Sequence, residues 1–253
     1  MPERLLADDT ALVTGAASGI GRGLARALAA EGARLVLTDI DPERGGAIAA
    51  ELGAAFIPAD LSRPEAALPL FAAAREALGG RLSLFVHSAS PRRAETQHLL
   101  AVTEAEWDAM LTTNLRAGFV LGRAAGQHMI AAGVRGRMLF VTSLHAETPR
   151  NLPHYSAAKA GETMLVRELA KALGPHGIRV NAIAPGAIPG GGFAADVTAL
   201  ERMIPLGRTG TPEDVAAMAV ALLSERFGRY VTGATVAVDG GLALYNWIAP
   251  PSA

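Results

Sequence analysis

The sequence contains no cysteine among its 253 residues, which excludes disulfide bonds and thiolate metal sites. Aromatic residues make up only 5% and charged residues 19%, whereas half of the residues are hydrophobic. The 23 basic and 24 acidic residues leave a net charge of −1, so no excess of positive charge points to nucleic acid or to an anionic membrane. These shortages describe a globular chain with enough residues for one large domain.

Several kinds of segment are also missing. No apolar run reaches the roughly 20 residues of a membrane-spanning helix, and residues 1–10 are too acidic and too poor in apolar residues for a secretion signal. The six histidines lack the spacing of helical metal ligands, so we expect no metal site. We therefore expect a soluble, cytoplasmic protein whose partner is a small molecule.

Short runs rich in β-branched residues or leucine alternate with alanine-rich helical segments along the whole chain. This alternation is typical of a parallel sheet with helices on both faces. It predicts strands at 11–14, 34–38, 55–58, 83–87, 137–142, 179–184 and 235–238. It predicts helices at 20–31, 42–52, 64–78, 104–111, 115–132, 155–173 and 212–224. We expect one doubly wound α/β domain over residues 1–253, with a glycine-rich substrate lid at about 186–211.

A glycine-rich segment, Thr14 to Gly21, follows the first predicted strand and opens the first predicted helix. Glycines there allow a sharp turn and a close approach to a pyrophosphate, whose charge the helix N-terminus stabilises. The alternative is a tight connection that binds nothing. With a strand before it and a helix after it, the segment predicts dinucleotide binding by Gly15, Ser18, Gly19, Ile20 and Gly21.

Asp39 ends the second predicted strand, about twenty residues past the glycines, where an acidic residue binds the adenosine ribose hydroxyls. A carboxylate there would repel the 2′-phosphate of NADP. A basic residue at position 18 or 40 would best bind that phosphate, but these positions hold Ser18 and Ile40. Arg44 could approach from the next helix. Asp39 could alternatively be a turn residue, but Asp41 fits that role better. The sequence therefore predicts NAD rather than NADP.

Tyr155 and Lys159 are four residues apart in a predicted helix, so they share one face. A free phenol is a poor base because its pKa is about 10, but an ammonium group held beside a phenol favours the phenolate. Such a pair can exchange a proton near neutral pH. Ser143, at the end of a predicted strand, is placed to hold a substrate oxygen. The alternative is an amphipathic tyrosine beside a solvated lysine.

In their order and spacing these motifs resemble the short-chain dehydrogenase/reductase family, and some segments look like those of its sugar 1-dehydrogenase members. The resemblance covers nearly the whole chain and implies a Rossmann-type sheet of seven parallel strands in the order 3-2-1-4-5-6-7. Further matching pieces are Asp60-Leu61, Asn114, Ser143, the segment from Asn181 to Gly186, and the segments from Tyr230 to Gly233 and from Val238 to Gly241.

The resemblance implies a catalytic tetrad. Tyr155 would take the alcohol proton while a hydride passes to the nicotinamide, and Lys159 would favour the phenolate and hold the nicotinamide ribose. Ser143 would orient the substrate oxygen, and Asn114 would anchor a water that relays protons to Lys159. Taken alone, Asn114 would be a helix cap.

The resemblance also implies cofactor contacts and an oligomer. Beyond the glycine segment and Asp39, the implied contacts to NAD are Asp60, Leu61, Ser88, Ala89, Tyr155, Lys159, Pro185, Gly186 and Ile188. The family usually forms homotetramers through the helices predicted here at 115–132 and 155–173, whose small residues would permit close approach. Burial against the chain's own sheet is the alternative. The apolar tail, 244–248, is expected to cover its own pocket or a neighbour's.

Three departures from the family pattern suggest a specialised pocket. Residues 87–90 read His-Ser-Ala-Ser, where the family usually has Asn-Asn-Ala-Gly. Gly190 stands where the family often has a threonine that bonds the nicotinamide amide. The interval from Ser143 to Tyr155 is one residue shorter than usual.

The expected substrate pocket carries His, Glu, Arg and Asn side chains from residues 144–154 and Arg92 and Arg93 from the turn after the fourth strand. Such groups suit a polyhydroxylated ligand, and the arginines suggest an anionic one. We predict oxidation of an aldose at its anomeric carbon to a lactone, and the arginines extend the prediction to an anionic aldose. The alternatives are a 3-oxoacyl-thioester or other carbonyl reductase, which would prefer NADPH, and a cofactor-sensing binding protein without activity. The predicted substrate contacts are Ser143, His145, Arg150, Tyr155 and Arg92.

Overall fold

The computed structural model describes residues 4–94, 96–190 and 197–244. Within them, parallel strands form one sheet in the order β3-β2-β1-β4-β5-β6-β7, which confirms the predicted fold class and strand order. The strands are β1 (Thr10–Thr14), β2 (Arg34–Thr38), β3 (Ala55–Phe56), β4 (Leu84–His87), β5 (Arg137–Val141), β6 (Arg179–Pro185) and β7 (Thr235–Val238).

Helices cover both faces of this sheet. They are α1 (Gly19–Ala30), α2 (Pro42–Leu52), α3 (Ala67–Ala77), α4 (Glu104–Leu111), α5 (Ala117–Ala131), α6 (Pro153–Leu173), α7 (Val197–Glu201), α8 (Pro212–Leu223) and α9 (Glu225–Gly228). None of the helices in the described residues is both long and apolar enough to cross a membrane.

The strands supply two separate cores because their side chains alternate between the two faces of the sheet. In β1, Val13 packs into the core beneath α1, α2 and α8. Its neighbour Leu12 packs into the core beneath α3, α5 and α6. Both residues are completely buried. Strands buried on both faces read as continuous apolar runs, which is why the sequence pattern located them well.

Two helix predictions need correction. The helix expected from residue 64 begins at Ala67, because turns occupy the residues before it. The carboxylate of Asp60 accepts hydrogen bonds from the backbone N–H and the hydroxyl of Ser62. In the next turn, Ala66 N–H donates to the Arg63 carbonyl. The helix expected at 115–132 is preceded by a π-helical turn, Thr112–Arg116, that leads into α5.

Several small residues of α5 and α6 pack against the chain's own side chains. A Cβ on Gly118 would lie 3.1 Å from the His87 ring, and one on Gly161 would lie 2.8 Å from Leu115. Ala125 and Ala158 are completely buried. These positions therefore contact the chain's own side chains, and the homotetramer stays a prediction.

Because the strands are parallel, their carboxyl ends meet at one edge of the sheet. The loops after β1, β2, β4, β5 and β6 gather there and bring the candidate residues together. Part of the predicted lid (residues 191–196) and most of the apolar tail (residues 245–248) lie outside the described residues.

Candidate active site

A cleft of about 780 Å³ runs along the carboxyl edge of the sheet. Most predicted cofactor residues line it. They are Gly15, Ser18, Gly19, Ile20, Gly21, Asp39, Asp60, Leu61, Ser88, Ala89, Tyr155, Lys159 and Ile188. Of the predicted substrate residues, Tyr155 and Arg92 line it, and Arg93 lines it too.

Some predicted residues lie outside the lining of this cleft. Pro185 is buried as the last residue of β6, and Gly186 is packed so closely that a Cβ there would lie 2.7 Å from Asp239. Asn114 is completely buried beneath the site. These residues can shape the cleft from behind but do not form its described surface.

The glycine segment has the shape that a pyrophosphate requires. Gly15 has a φ of 69°, and a Cβ there would lie 2.8 Å from the backbone of Ala89. A Cβ on Gly21 would overlap the Gly15 carbonyl, whereas in front of Gly19 there is open space within 4 Å. Ser18 precedes α1 without a side-chain cap on the helix N–H groups. The first turn of α1 can therefore donate to an anion in the cleft.

Asp39 ties the glycine segment to the end of β2. Its Oδ2 accepts a hydrogen bond from Ala17 N–H at 2.9 Å, and its Oδ1 accepts one from Asp41 N–H at 3.1 Å. Arg44 lies with its Nε 3.4 Å from the carboxylate of Asp41, which caps α2. The cap role therefore belongs to Asp41. Asp39 is also a turn residue, because its carboxylate accepts from a backbone N–H two residues further on, and it lines the cleft together with Asp41 and Asp60.

Tyr155 sits near the start of α6 among three basic side chains. The guanidinium carbon of Arg93 lies 3.8 Å from the centre of its ring, and Lys159 Nζ lies 5.6 Å from the same centre. The His145 ring meets it edge to face at 5.2 Å. The predicted tyrosine–lysine pair is thus brought together, and Tyr155 is only 7% exposed.

Ser143 is buried where β5 gives way to a short 3₁₀ turn, Leu144–Ala146. Its hydroxyl accepts a hydrogen bond from His145 N–H at 3.2 Å. This bond occupies one acceptor position of the hydroxyl, and its donor position stays available for another oxygen. Ser143 is therefore both a turn residue and a candidate substrate contact.

Lys159 is held by two buried groups. Its Nζ donates to the Val141 carbonyl at 2.8 Å and lies 2.6 Å from Glu162 Oε2. Lys159 is 2% exposed and Glu162 is completely buried. Burial raises the pKa of Glu162 to about 7, against the opposing effect of the Lys159 charge. Glu162 was missed from the sequence, although its place one turn beyond Lys159 in a helix was a usable signal.

His87 takes the place of a usual family asparagine and connects several parts of the site. Its Nε2 lies 2.9 Å from the Asn114 carbonyl, and its Nδ1 lies 3.0 Å from the Thr14 hydroxyl. A carbonyl only accepts, so Nε2 carries the proton and Nδ1 accepts from Thr14. Burial, aided by the Lys159 charge, lowers the pKa of His87 to about 4, so the ring is neutral near pH 7.

Asn114 lies in the π-helical turn rather than at a helix cap. Its side-chain Nδ2 donates to the Met110 carbonyl at 2.9 Å, but its Oδ1 is buried without a partner in the part of the chain that the structure describes. A buried acceptor left unpaired costs on the order of 1–3 kcal/mol. A bound water would satisfy it, which is consistent with the expected water anchor.

The substrate end of the cleft is cationic. Arg92 and Arg93 line it. The predicted substrate residues Ser143, His145 and Arg150 are outside its lining, and half-buried Arg150, whose Nε has no partner among the described residues, lines a second pocket instead. Burial, together with the charges of Arg93 and Arg150, lowers the pKa of His145 to about 4. His145 is therefore neutral near pH 7, and the arginines provide the positive charge. It is Arg93 that contacts Tyr155.

Comparison with known proteins identifies the family. The family model described as enoyl-(acyl carrier protein) reductase matches residues 15–243. The chain belongs to the short-chain dehydrogenase/reductase family. As a member of this family, it is an oxidoreductase that acts on a CH–OH group, and the family uses a nicotinamide cofactor, NAD or NADP. The glycine segment and the cleft described above fit such a cofactor.

Relatives of similar identity differ in their substrates. The chain is 36% identical to (3R)-3-hydroxyacyl-CoA dehydrogenase of Mus musculus, over 92% of this chain and 95% of the relative. It is 37% identical to L-rhamnose 1-dehydrogenase (NAD(P)(+)) of Azotobacter vinelandii, over 94% and 98%. It is 38% identical to 3beta-hydroxysteroid dehydrogenase 1 of Eggerthella lenta, over 93% and 94%. Overall identity therefore does not select a substrate.

Proposed function

We propose that this short-chain dehydrogenase/reductase uses NAD to oxidise an anionic aldose at its anomeric carbon to a lactone. The observation that carries the proposal is the position of Arg93, whose guanidinium carbon lies 3.8 Å from the centre of the Tyr155 ring. An exposed cation beside the candidate proton acceptor suits a carboxylate, sulfonate or phosphate on the substrate.

In the proposed reaction the anomeric carbon loses a hydride and its hydroxyl loses a proton, which leaves the lactone. The nicotinamide ring, when bound, supplies the hydride acceptor. Tyr155 takes the hydroxyl proton, and the nearby Lys159 ammonium stabilises the phenolate. Ser143 donates its hydroxyl hydrogen to the reacting oxygen. Asn114 holds a water that passes the proton onward from Lys159.

The preference for NAD rests on Asp39. Its carboxylate lines the cleft at the end of β2, where it suits ribose hydroxyls and repels a 2′-phosphate. Arg44, the nearby cation, is engaged with Asp41. We expect kcat/KM with NAD to exceed that with NADP at least tenfold, and Asp39→Ser to reverse most of this ratio. Glu43→Gln, on the exposed first turn of α2, is the matched control. Equal use of both cofactors by the wild type would refute the preference.

The substrate class can be tested with a panel. Neutral aldoses, uronic acids, aldose phosphates and a (3R)-3-hydroxyacyl-CoA would be assayed with NAD. We expect acidic aldoses to be preferred at least tenfold in kcat/KM over neutral ones. Arg93→Gln should remove that preference, mainly by raising KM for the acidic aldose. Arg92→Gln is the matched control, because Arg92 lies on the same wall but does not stack on Tyr155, and it should remove less of the preference.

A second candidate is oxidation of a 3-hydroxyacyl thioester or reduction of the corresponding 3-oxoacyl thioester. It is favoured by the printed names of the matching family model and of the mouse relative. Activity confined to the thioester would replace the sugar proposal. Cofactor binding without turnover of any member of the panel would instead favour a cofactor-sensing protein.

We also propose that the protein works in the cytoplasm as a homotetramer. Apolar side chains on α5 and α6 support an assembly, since Phe119 is 42% and Met164 52% exposed. Light scattering after size-exclusion chromatography would test it, and a monomer at micromolar concentration would contradict it.

A further inference from the structure

Lys159 is paired with a buried carboxyl group that the proposed reaction does not use. Glu162 Oε2 lies 2.6 Å from Lys159 Nζ, and Oε1 lies 3.8 Å from His87 Nε2. Apart from this ion pair, neither oxygen accepts a hydrogen bond from the described residues. A buried carboxylate with so few donors is costly to keep. Its position therefore calls for an explanation beyond packing.

We infer that Glu162 is a positioning residue that fixes the Lys159 ammonium and so sets the pH at which Tyr155 takes up the substrate proton. The inference rests on the proposed function, in which Tyr155 is the proton acceptor. Residues 155, 159 and 162 are spaced by four and three, so they follow one stripe of α6. Lys159 is thus held between the tyrosine ring and the buried carboxyl group.

Few other titratable groups face Glu162. His87 approaches from β4 but is neutral, because its buried ring has a pKa of about 4. The π-helical turn packed against α6 contributes the buried, uncharged Thr113 and Asn114. Two more titratable groups lie on elements packed against the first turns of α6, but their partners are residues other than Glu162. Glu106 of α4 interacts with His154, and His145 contacts Tyr155.

Arg179 of β6, the element packed against α6 from within the sheet, is directed to the opposite end of the sheet, where it pairs with Glu225. Glu162 therefore acts on the site mainly through Lys159. Its own pKa of about 7 means that its charge changes within the working pH range.

The sign of the effect follows from electrostatics. A buried negative charge favours the protonated form of every acid near it. Removing that charge lowers the pH at which the neighbouring groups lose their protons. Replacing Glu162 by the neutral, similarly shaped glutamine should therefore move the pH profile of the reaction toward lower pH. A unit charge several ångströms away in a protein interior has an effect of about one pH unit.

The test is the pH dependence of kcat/KM for wild type, Glu162→Gln and Glu162→Asp. We expect the acid limb of the profile to move down by up to about one pH unit in Glu162→Gln, with the largest shift where the limb lies above pH 7, because Glu162 is ionised there. Glu162→Asp keeps the charge but withdraws it by one methylene, so its limb should lie between the other two. Glu168→Gln, an exposed change six residues further along α6, should leave the profile unchanged. Thermal unfolding would verify that each variant is folded.

A second readout needs no substrate. The ultraviolet absorbance of the phenolate would be titrated in wild type and both Glu162 variants, with the signal of Tyr155→Phe subtracted. A midpoint that moves down in the order wild type, Asp, Gln supports the inference, even if the true substrate differs from the one proposed. Coincident midpoints and coincident pH profiles would overturn it. If Glu162→Gln does not fold, the smaller shift in Glu162→Asp decides the question.

Discussion

Two clusters of buried charge lie at opposite ends of the sheet, and they are built differently. At the amino ends of the strands, Asp9 and Arg137 form an ion pair with an N–O distance of 2.5 Å. At the carboxyl ends, Lys159 and Glu162 form one at 2.6 Å, with His87 alongside. The distances are alike, but the surroundings of the two pairs are not.

The amino-end cluster has its hydrogen bonds satisfied. Asp9 Oδ1 accepts from the Ser83 hydroxyl at 2.7 Å, and Arg137 Nε donates to the Leu223 carbonyl at 2.8 Å. Arg179 donates to the carbonyls of Leu222 and Ser224. A buried ion pair with such partners fixes the packing of α8 on the sheet.

The carboxyl-end cluster keeps open positions. Among the described residues, neither oxygen of Glu162 accepts a hydrogen bond apart from the ion pair with Lys159, and Oδ1 of Asn114 has no partner. Unsatisfied buried groups are costly and cluster where a protein binds or reacts. The contrast indicates that the amino end serves stability and the carboxyl end serves chemistry.

The largest effect is expected at the amino end. Arg137→Ala leaves the buried Asp9 carboxylate without its cation, so we expect a loss of about 3–5 kcal/mol in the free energy of unfolding. Urea denaturation would measure it. Arg26→Ala, which breaks the exposed pair with Glu51, should cost about 0–1 kcal/mol. Similarly small losses in the free energy of unfolding for both variants would contradict the stabilising role assigned to the amino-end cluster.

At the carboxyl end, Tyr155→Phe should reduce kcat by about 10²-fold or more, because it removes the group proposed to take the proton. The free energy of unfolding should change by less than about 1 kcal/mol. Tyr230→Phe is the matched control, since Tyr230 is fully exposed. Turnover retained by Tyr155→Phe would refute the assigned role.

The smallest effect concerns pH and stability. Burial raises the pKa of Glu162 from 4.5 to about 7, so its contribution to stability is complete below pH 4.5 and is lost as the pH rises through 7. The wild type should therefore lose on the order of 1–3 kcal/mol relative to Glu162→Gln over this range. Denaturation curves at several pH values would measure the difference.

The comparison with Glu162→Gln also cancels the contribution of His87. The pKa of His87 is lowered to about 4, so that residue loses its stabilising contribution as the pH falls from 6.5 toward 4. A constant difference between wild type and variant from pH 4.5 to 7 would show that the folded protein does not raise the pKa of Glu162.

The parts of the site that could be predicted from the sequence are those that depend on residues close together in the chain. The glycine segment follows a strand and opens a helix, and Tyr155 and Lys159 are one helical turn apart. The partners of these residues are distant in sequence. Arg93 reaches the Tyr155 ring from a different loop, and His87 meets Glu162 across two elements. The helix and strand periodicities of the sequence do not predict contacts between residues so far apart in the chain.

The sequence by itself determined the parallel sheet, the order of its strands through the family resemblance, and the positions of the candidate tetrad. Only the tertiary structure decided that Lys159 has a buried carboxylate as its counter-charge and that Arg93 contacts Tyr155. It also decided that the small residues of α5 and α6 pack within the chain. The physical reason is that strand and helix periods are local, whereas burial and charge pairing depend on which loops the folded sheet brings to one edge.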